Sequence, residues 1–405
     1  MNAGSSERWC SPTPRRPGGA PLESSMPEAA RAGLTNTEYE RLALAGGVNL
    51  SDGHARIPLD AVQRSIIATL PDLFHGLERR SQGDLEAELL EAFFGLCGQR
   101  SALDAPGLFL TFSASSALKM IAQVCRRRSL PVLLIEPVFD NIRHFLQYEE
   151  VPIIAVEESV LATADRLPRV PGPAALWVVL PNNPTGFCLT EEQFAELAAQ
   201  CRTRDYTLIV DASFRPHAPS LTQWDMYGVL RSSGADHLVV EDTGKTWSLH
   251  DMKVGISVAS ARYAADLYTL HDQLLLNVSP FHLSVLTAFI RDSQERGLRT
   301  TVGAAVERNR RVVHRLVDGG GFEHHGDCRN VPMELLGVPQ GTDAHRFWEV
   351  CRRGGVEVLP AQNYYWNSAK GDRLFRVPLA RPTGDVTAAC EVLRRMCEPA
   401  MAKTP

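Results

Sequence analysis

The feature that most constrains this chain is a rhythm of short aliphatic runs separated by stretches with helical spacing. Gly107–Phe112, Pro131–Ile135, Ala175–Leu180, Leu208–Val210 and Leu238–Val240 are β-type runs. Between them lie Ser115–Val124 and Glu191–Cys201. In the second, Phe194, Leu197 and Cys201 fall on one helical face, and Thr190 with Gln193 forms a capping box. Strands apolar on both faces and separated by helices belong to a mostly parallel sheet covered on each side. The pattern therefore predicts an α/β large domain. Near Thr300, the spacing of Val302, Val306, Val312, Val313 and Leu316 predicts a long helix that Gly319, Gly320 and Gly321 end. A β-like run at Leu374–Val377 and a final helix suit a smaller α+β C-terminal domain.

A length of 405 residues implies about two to three domains. Composition narrows the classes. With 42 Lys and Arg against 47 Asp and Glu the net charge is −5, so no basic excess favours nucleic-acid binding. No run of about 18 apolar residues predicts a membrane span. The nine cysteines are scattered without a C-x-x-C pair, which predicts reduced thiols in a cytoplasmic protein rather than a disulfide framework or a metal cluster. No apolar segment follows Arg15 and Arg16, so no signal peptide is expected. Residues 1–31, rich in Ser, Pro, Gly and Ala, are expected to form a disordered tail. The remaining segments are 32–60, a large domain over 61–298, and a linking helix with the small domain over 299–405.

Four separated motifs carry the chemistry. Asn182-Asn183-Pro184-Thr185-Gly186 follows the run Ala175–Leu180 and places a side-chain amide at the carboxyl edge of the sheet, where open α/β folds bind ligands. Asp211 closes the next run, and Asp242-Thr243-Gly244-Lys245 closes the one after, with Lys253 further on. Arg376 stands in the strand-like Phe375-Arg376-Val377. Each alone reads as a turn, a cap or a solvated charge. Gly244-Lys245-Thr246 is no phosphate loop, because the first glycine that motif requires would fall at Val239, inside a strand.

In this order the motifs resemble the fold-type I pyridoxal phosphate enzymes, the aspartate aminotransferase superfamily, over roughly residues 34 to 398. The resemblance implies that Lys245 carries pyridoxal 5'-phosphate on its ε-amine and that Asp211 pairs with the ring nitrogen. It places Asn183 on the ring hydroxyl and Phe139 against the ring face. Ser113, Ala114 and Ser115, with Thr243 and Lys253, would hold the phosphate at a helix N-terminus. Arg376 would bind the substrate α-carboxylate as a fork. Such enzymes build each site at a homodimer interface, and Ser279, in Asn277-Val278-Ser279-Pro280, resembles the segment that reaches the partner's phosphate.

Two departures point to a specialised branch. Phe214 stands where the superfamily's Asp-x-x-Tyr carries a hydroxyl, and Lys253 stands where an arginine usually binds phosphate. The runs Asn49–Arg56, Phe139–Ile142, Ser213-Phe214-Arg215 and Glu241–Lys245 resemble the oxygen-using members of antibiotic pathways, the L-arginine oxidases and 4-hydroxylases. That likeness implies an N-terminal lid over 32–60. Thr37 and Glu40 on it, with Asp242, would contact a guanidinium, and His54 would be an acid/base group. The implied activity is oxidation or monooxygenation of an arginine-like amino acid by O2, with neither metal nor flavin. A glycyluridine monooxygenase-decarboxylase, a hydroxyarginine cyclase and a conventional aminotransferase are the competing enzymes. A transcription regulator would need a helix-turn-helix module that this sequence lacks.

Overall fold

Seven strands form the central sheet, in the order β2-β8-β7-β6-β5-β3-β4. The computed structural model describes residues 33–163, 166–319 and 321–397, and the expected tail lies outside them. The strands are β2 Gly107–Thr111, β3 Val132–Glu136, β4 Ile153–Glu157, β5 Ala174–Val179, β6 Tyr206–Asp211, β7 His237–Asp242 and β8 Gly255–Ala259. All run parallel except β8, which is antiparallel to both β2 and β7. Every residue of β3, β5, β6 and β8 is buried, as expected for strands with helices on both faces.

The helix Ala114–Arg127 follows β2, and the helix Glu191–Thr203 precedes β6 with the expected capping box at Thr190 and Gln193. β4 and β8 did not stand out in the sequence. β4 is only half-buried at the sheet edge, and β8 carries Ser257 at its centre, so neither reads as a continuous apolar run.

A second sheet has five strands in the order β1-β11-β12-β10-β9. They are β1 Val48–Leu50, β9 His324–His325, β10 Met333–Gly337, β11 Val356–Pro360 and β12 Leu374–Pro378. β1 pairs in parallel with β11, Asn49 opposite Glu357. The segment assigned to a separate lid is therefore partly built into the C-terminal layer. Pairing across three hundred residues rests on backbone groups, which leave little trace in composition. The helix expected near Thr300 begins as a π-turn over Arg299–Gly303 and continues as Ala304–Asp318. Among the described residues no helix is long and apolar enough to cross a membrane, and eight cysteines are unbridged.

Candidate active site

Strands β5, β6 and β7 deliver their carboxyl ends to one cavity of about 230 Å³. Thirteen of the fifteen residues singled out in the sequence line it: Thr37, Glu40, His54, Ser113, Ala114, Ser115, Phe139, Asn183, Asp211, Asp242, Lys245, Lys253 and Arg376. After β5, the turn bearing Asn183 is fixed from behind by Glu158. Its Oε2 accepts hydrogen bonds from Asn182 Nδ2 (2.6 Å) and Thr185 Oγ1 (2.8 Å). The loop after β6 is tied to the end of β7 by a fully buried ion pair, Arg215 Nε to Glu241 Oε1 at 2.8 Å, with the Tyr227 hydroxyl donating to the same oxygen. This pair fixes Phe214 and Asp242, its sequence neighbours, relative to each other.

Asp211 is buried and its Oδ1 accepts from the Ser213 N–H (3.0 Å) and Oγ (2.5 Å). Burial pushes its carboxyl up to about 6, against the pull of the Ser213 bonds and of Lys245. A carboxylate so placed is stabilised by a cation in the cavity. Lys245 Nζ makes no hydrogen bond or ion pair among the described residues and lies 5.9 Å from the centre of the Phe214 ring.

An anion cradle forms one wall. Ser113 caps the helix Ala114–Arg127, its Oγ accepting from the Ser116 N–H at 3.2 Å. The N–H groups of Ala114 and Ser115 precede the helix's first backbone bonds, which run to the Ser113 carbonyl, and favour an anion at this end. β8 passes directly beneath this turn. A Cβ on Gly255 would come within 2.4 Å of the Ser113 carbonyl carbon, so only glycine allows the approach. Free amine, buried carboxylate, amide, aromatic wall and anion cradle are the donor set that pyridoxal phosphate requires, and the residues fit that group.

The helix Asn36–Ala43 closes the cavity. Thr37 Oγ1 donates to Asn141 Oδ1 (3.2 Å), and the Asn36 N–H donates to Asp140 Oδ2 (2.8 Å), which docks the helix on the segment after Phe139. Burial pushes the Asp140 carboxyl up to about 6, with the Asn36 N–H opposing and Glu40 adding to the shift. Glu40 Oε1 accepts from Arg376 Nη2 (3.0 Å) and from the Gly53 N–H (3.2 Å). Arg376 also donates to the Tyr364 hydroxyl (2.7 Å) and to the Ser51 carbonyl. His54 sits between Asp52 and Lys253, its Nδ1 2.6 Å from Asp52 Oδ1 and its Nε2 2.9 Å from Lys253 Nζ.

Two expected residues lie elsewhere. Thr243 does not line the cavity, because its Oγ1 donates to the Val254 carbonyl (3.1 Å) and accepts from the Val254 N–H (2.8 Å). It pins the loop rather than facing an anion. Ser279, exposed before the helix Pro280–Arg296, is outside its own chain's cavity. Sequence reasoning missed Asp52, Asn141, Ser213 and Tyr364. The first three adjoin recognised motifs and were within reach of a closer reading. Tyr364 lies on a turn with no motif of its own.

The family profile for aminotransferase class I and II matches residues 40–393. Among solved structures, that of MppP soaked with the product 2-ketoarginine superposes with a TM-score of 0.81 at 31% identity, covering 87% of this chain and 100% of that one. Aspartate aminotransferase from Thermus thermophilus with maleate gives 0.70 at 17% identity, covering 94% and 100%, which is a likeness of fold. The LL-diaminopimelate aminotransferase 2 of Nostoc sp. is 31% identical over 239 residues, 56% of this chain and 57% of its own length. The aromatic-amino-acid aminotransferase of Pseudomonas aeruginosa is 27% identical over 150 residues, 35% of this chain and 37% of its own. The matched stretches thus span less than two-thirds of these curated relatives. Profile, sheet topology and cavity agree: this chain belongs to the class I and II aminotransferase family of fold-type I enzymes, whose cofactor is pyridoxal 5'-phosphate.

Proposed function

We propose that this enzyme uses O2 to oxidise, or oxidise and hydroxylate, L-arginine or an arginine-like amino acid in the biosynthesis of a secondary metabolite. One observation carries the reading: Arg376 lies near Lys245 at one part of the cavity while two carboxylates, Glu40 and Asp242, line the same space. An α-amino acid with a planar cation on its side chain satisfies all three charges. A neutral uridine would bring no cation to the two acids, which disfavours the glycyluridine reaction. The 31% identity to MppP, solved with 2-ketoarginine, supports the same substrate class.

Bound pyridoxal phosphate supplies an electron sink for negative charge at the α-carbon. Arg376 then holds the α-carboxylate, and Lys245 takes the α-proton on its amine. Asp211 would pair with the protonated ring nitrogen, and Asn183 would hold the ring hydroxyl. Phe214 offers no hydroxyl to that oxygen. The overall oxidation would balance as amino acid, O2 and water giving 2-keto acid, ammonia and H2O2. A second such oxidation at the β-carbon consumes a second O2 and lets water add at the γ-carbon, with His54 as acid/base. The helix Asn36–Ala43 acts as the lid that excludes bulk water.

The exposed Leu274, Leu276 and Phe74 suit a homodimer, with Ser279 serving the partner's cofactor.

The curated aminotransferase relatives favour one second reading, a conventional transaminase. The test is an oxygen electrode with an amino-acid panel, arginine first, with product mass spectrometry under 18O2 and in H2 18O. Oxygen uptake with arginine and no 2-keto-acid requirement supports the proposal. Accumulation of pyridoxamine phosphate without O2 uptake refutes it.

A further inference from the structure

His54 has two ring nitrogens with very different neighbours, and those neighbours determine which one carries the proton. Asp52 is buried, and Oδ1 accepts from the His54 N–H (3.0 Å) while lying 2.6 Å from Nδ1. Its other oxygen accepts from Arg56 Nε at 2.9 Å and faces the Arg381 guanidinium at 3.8 Å. Burial alone would raise this carboxyl, but the hydrogen bond with the His54 side chain and the Arg381 guanidinium outweigh it and hold it well below the usual carboxylate range. An ionised carboxylate only accepts, so the Nδ1 side must donate.

The Nε2 side is constrained from the opposite direction. Lys253 Nζ lies 2.9 Å away, and an ammonium only donates, so Nε2 must accept. Acceptor on one side and donor on the other leave one assignment, the neutral ring with its proton on Nδ1. Gly244 makes the arrangement possible. A Cβ there would lie 2.9 Å from Lys253 Cβ and Cδ and 3.2 Å from His54 Cδ2. The backbone is fixed as well, since Arg381 donates to the carbonyls of Asn49 (2.9 Å), His54 (2.5 Å) and Asp52.

Resting on the reading of His54 as the acid/base group, we propose that Asp52 is its positioning residue. Asp52 fixes the Nδ1–H tautomer, so that Nε2 takes and returns the proton of the attacking water. Asp52 holds Nδ1 away from the open space, whereas Nε2 faces Lys253, and both His54 and Lys253 line the cavity.

The test combines a spectroscopic and a chemical reading. Histidine is labelled with 15N, and two- and three-bond nitrogen–proton correlations are recorded on the holoenzyme, the His54 signals being assigned with His54→Gln. The expected spectrum shows Nδ1 protonated and Nε2 bare in the wild type, and a loss or reversal of that preference in Asp52→Asn. In parallel, the ratio of hydroxylated to unhydroxylated 2-keto acid should fall about 100-fold in Asp52→Asn, the scale of one acid/base group. A wild-type ring protonated on Nε2 overturns the proposal, and so does an unchanged product ratio in the variant. The wild-type spectrum stands whether or not Asp52→Asn folds. Absence of O2 uptake by the wild type would refute the proposed function while the tautomer reading still decides the role of Asp52.

Discussion

Glu40 Oε1 lies 3.0 Å from Arg376 Nη2, so two groups assigned to opposite ends of the substrate are bonded to each other. Arg376 is wholly buried and Glu40 nearly so. An amino acid's α-carboxylate can take the place of the Glu40 oxygen on the guanidinium. Glu40 then needs another cation, which an arginine side chain brings and an aliphatic one does not. Breaking a buried pair without compensation is costly, so the exchange itself selects for an amino acid with a cationic side chain.

Glu40→Gln should therefore weaken arginine and admit neutral amino acids. A charge-assisted hydrogen bond contributes about 1.5–3 kcal/mol, so KM for arginine should rise by roughly 10- to 100-fold. KM for norleucine should fall in the same variant. Steady-state kinetics with both substrates checks this, and an unaltered preference would refute the exchange.

Lys245→Ala should abolish turnover and covalent attachment of the cofactor together. Borohydride reduction followed by peptide mass spectrometry should find the added mass on the Lys245 peptide of the wild type. The variant should show none at any site.

The pH dependence of the cofactor-free protein follows from two buried acids. Asp211 and Asp140 are both raised to about 6 by burial. Between the ordinary aspartate value near 4 and about 6, the folded protein binds more protons than the unfolded chain. Stability from these groups is therefore full below about 4 and is lost as pH rises towards 6. Thermal melts of the apoprotein across this range should show the decline, and Asp211→Asn should flatten it. Loading the cofactor, whose ring cation favours the ionised carboxylate, should flatten it in the wild type too.

Phe214→Tyr should restore the hydroxyl that the superfamily places on the ring oxygen. One hydrogen bond of about 1 kcal/mol should shift the partition several-fold towards transamination. The readout is the ratio of pyridoxamine phosphate formed to O2 consumed with arginine.

The parallel core and most of the cavity were legible because they rest on local signals. A fully buried strand must be aliphatic, and strand-end residues such as Asp211 and Lys245 follow such runs directly. What escaped depends on distant pairing. β1 joins β11 through backbone bonds, and Tyr364 reaches Arg376 from a turn whose sequence is ordinary. Thr243 was misplaced for a related reason, since its hydroxyl serves the backbone at Val254, eleven residues away along the chain. The ion pair of Glu40 with Arg376 could not be read from either residue's neighbours.

The union of β1 with β11 changes what opening the pocket can mean. Helix and strand are joined by a short connector, and the strand is zipped along three residues to the C-terminal layer. A cover that moves with this layer, as a visor does, carries Glu40, Asp52, His54 and Arg376 together. Admission of a new molecule would then dismantle the carboxylate clamp and the proton-handling group in a single movement.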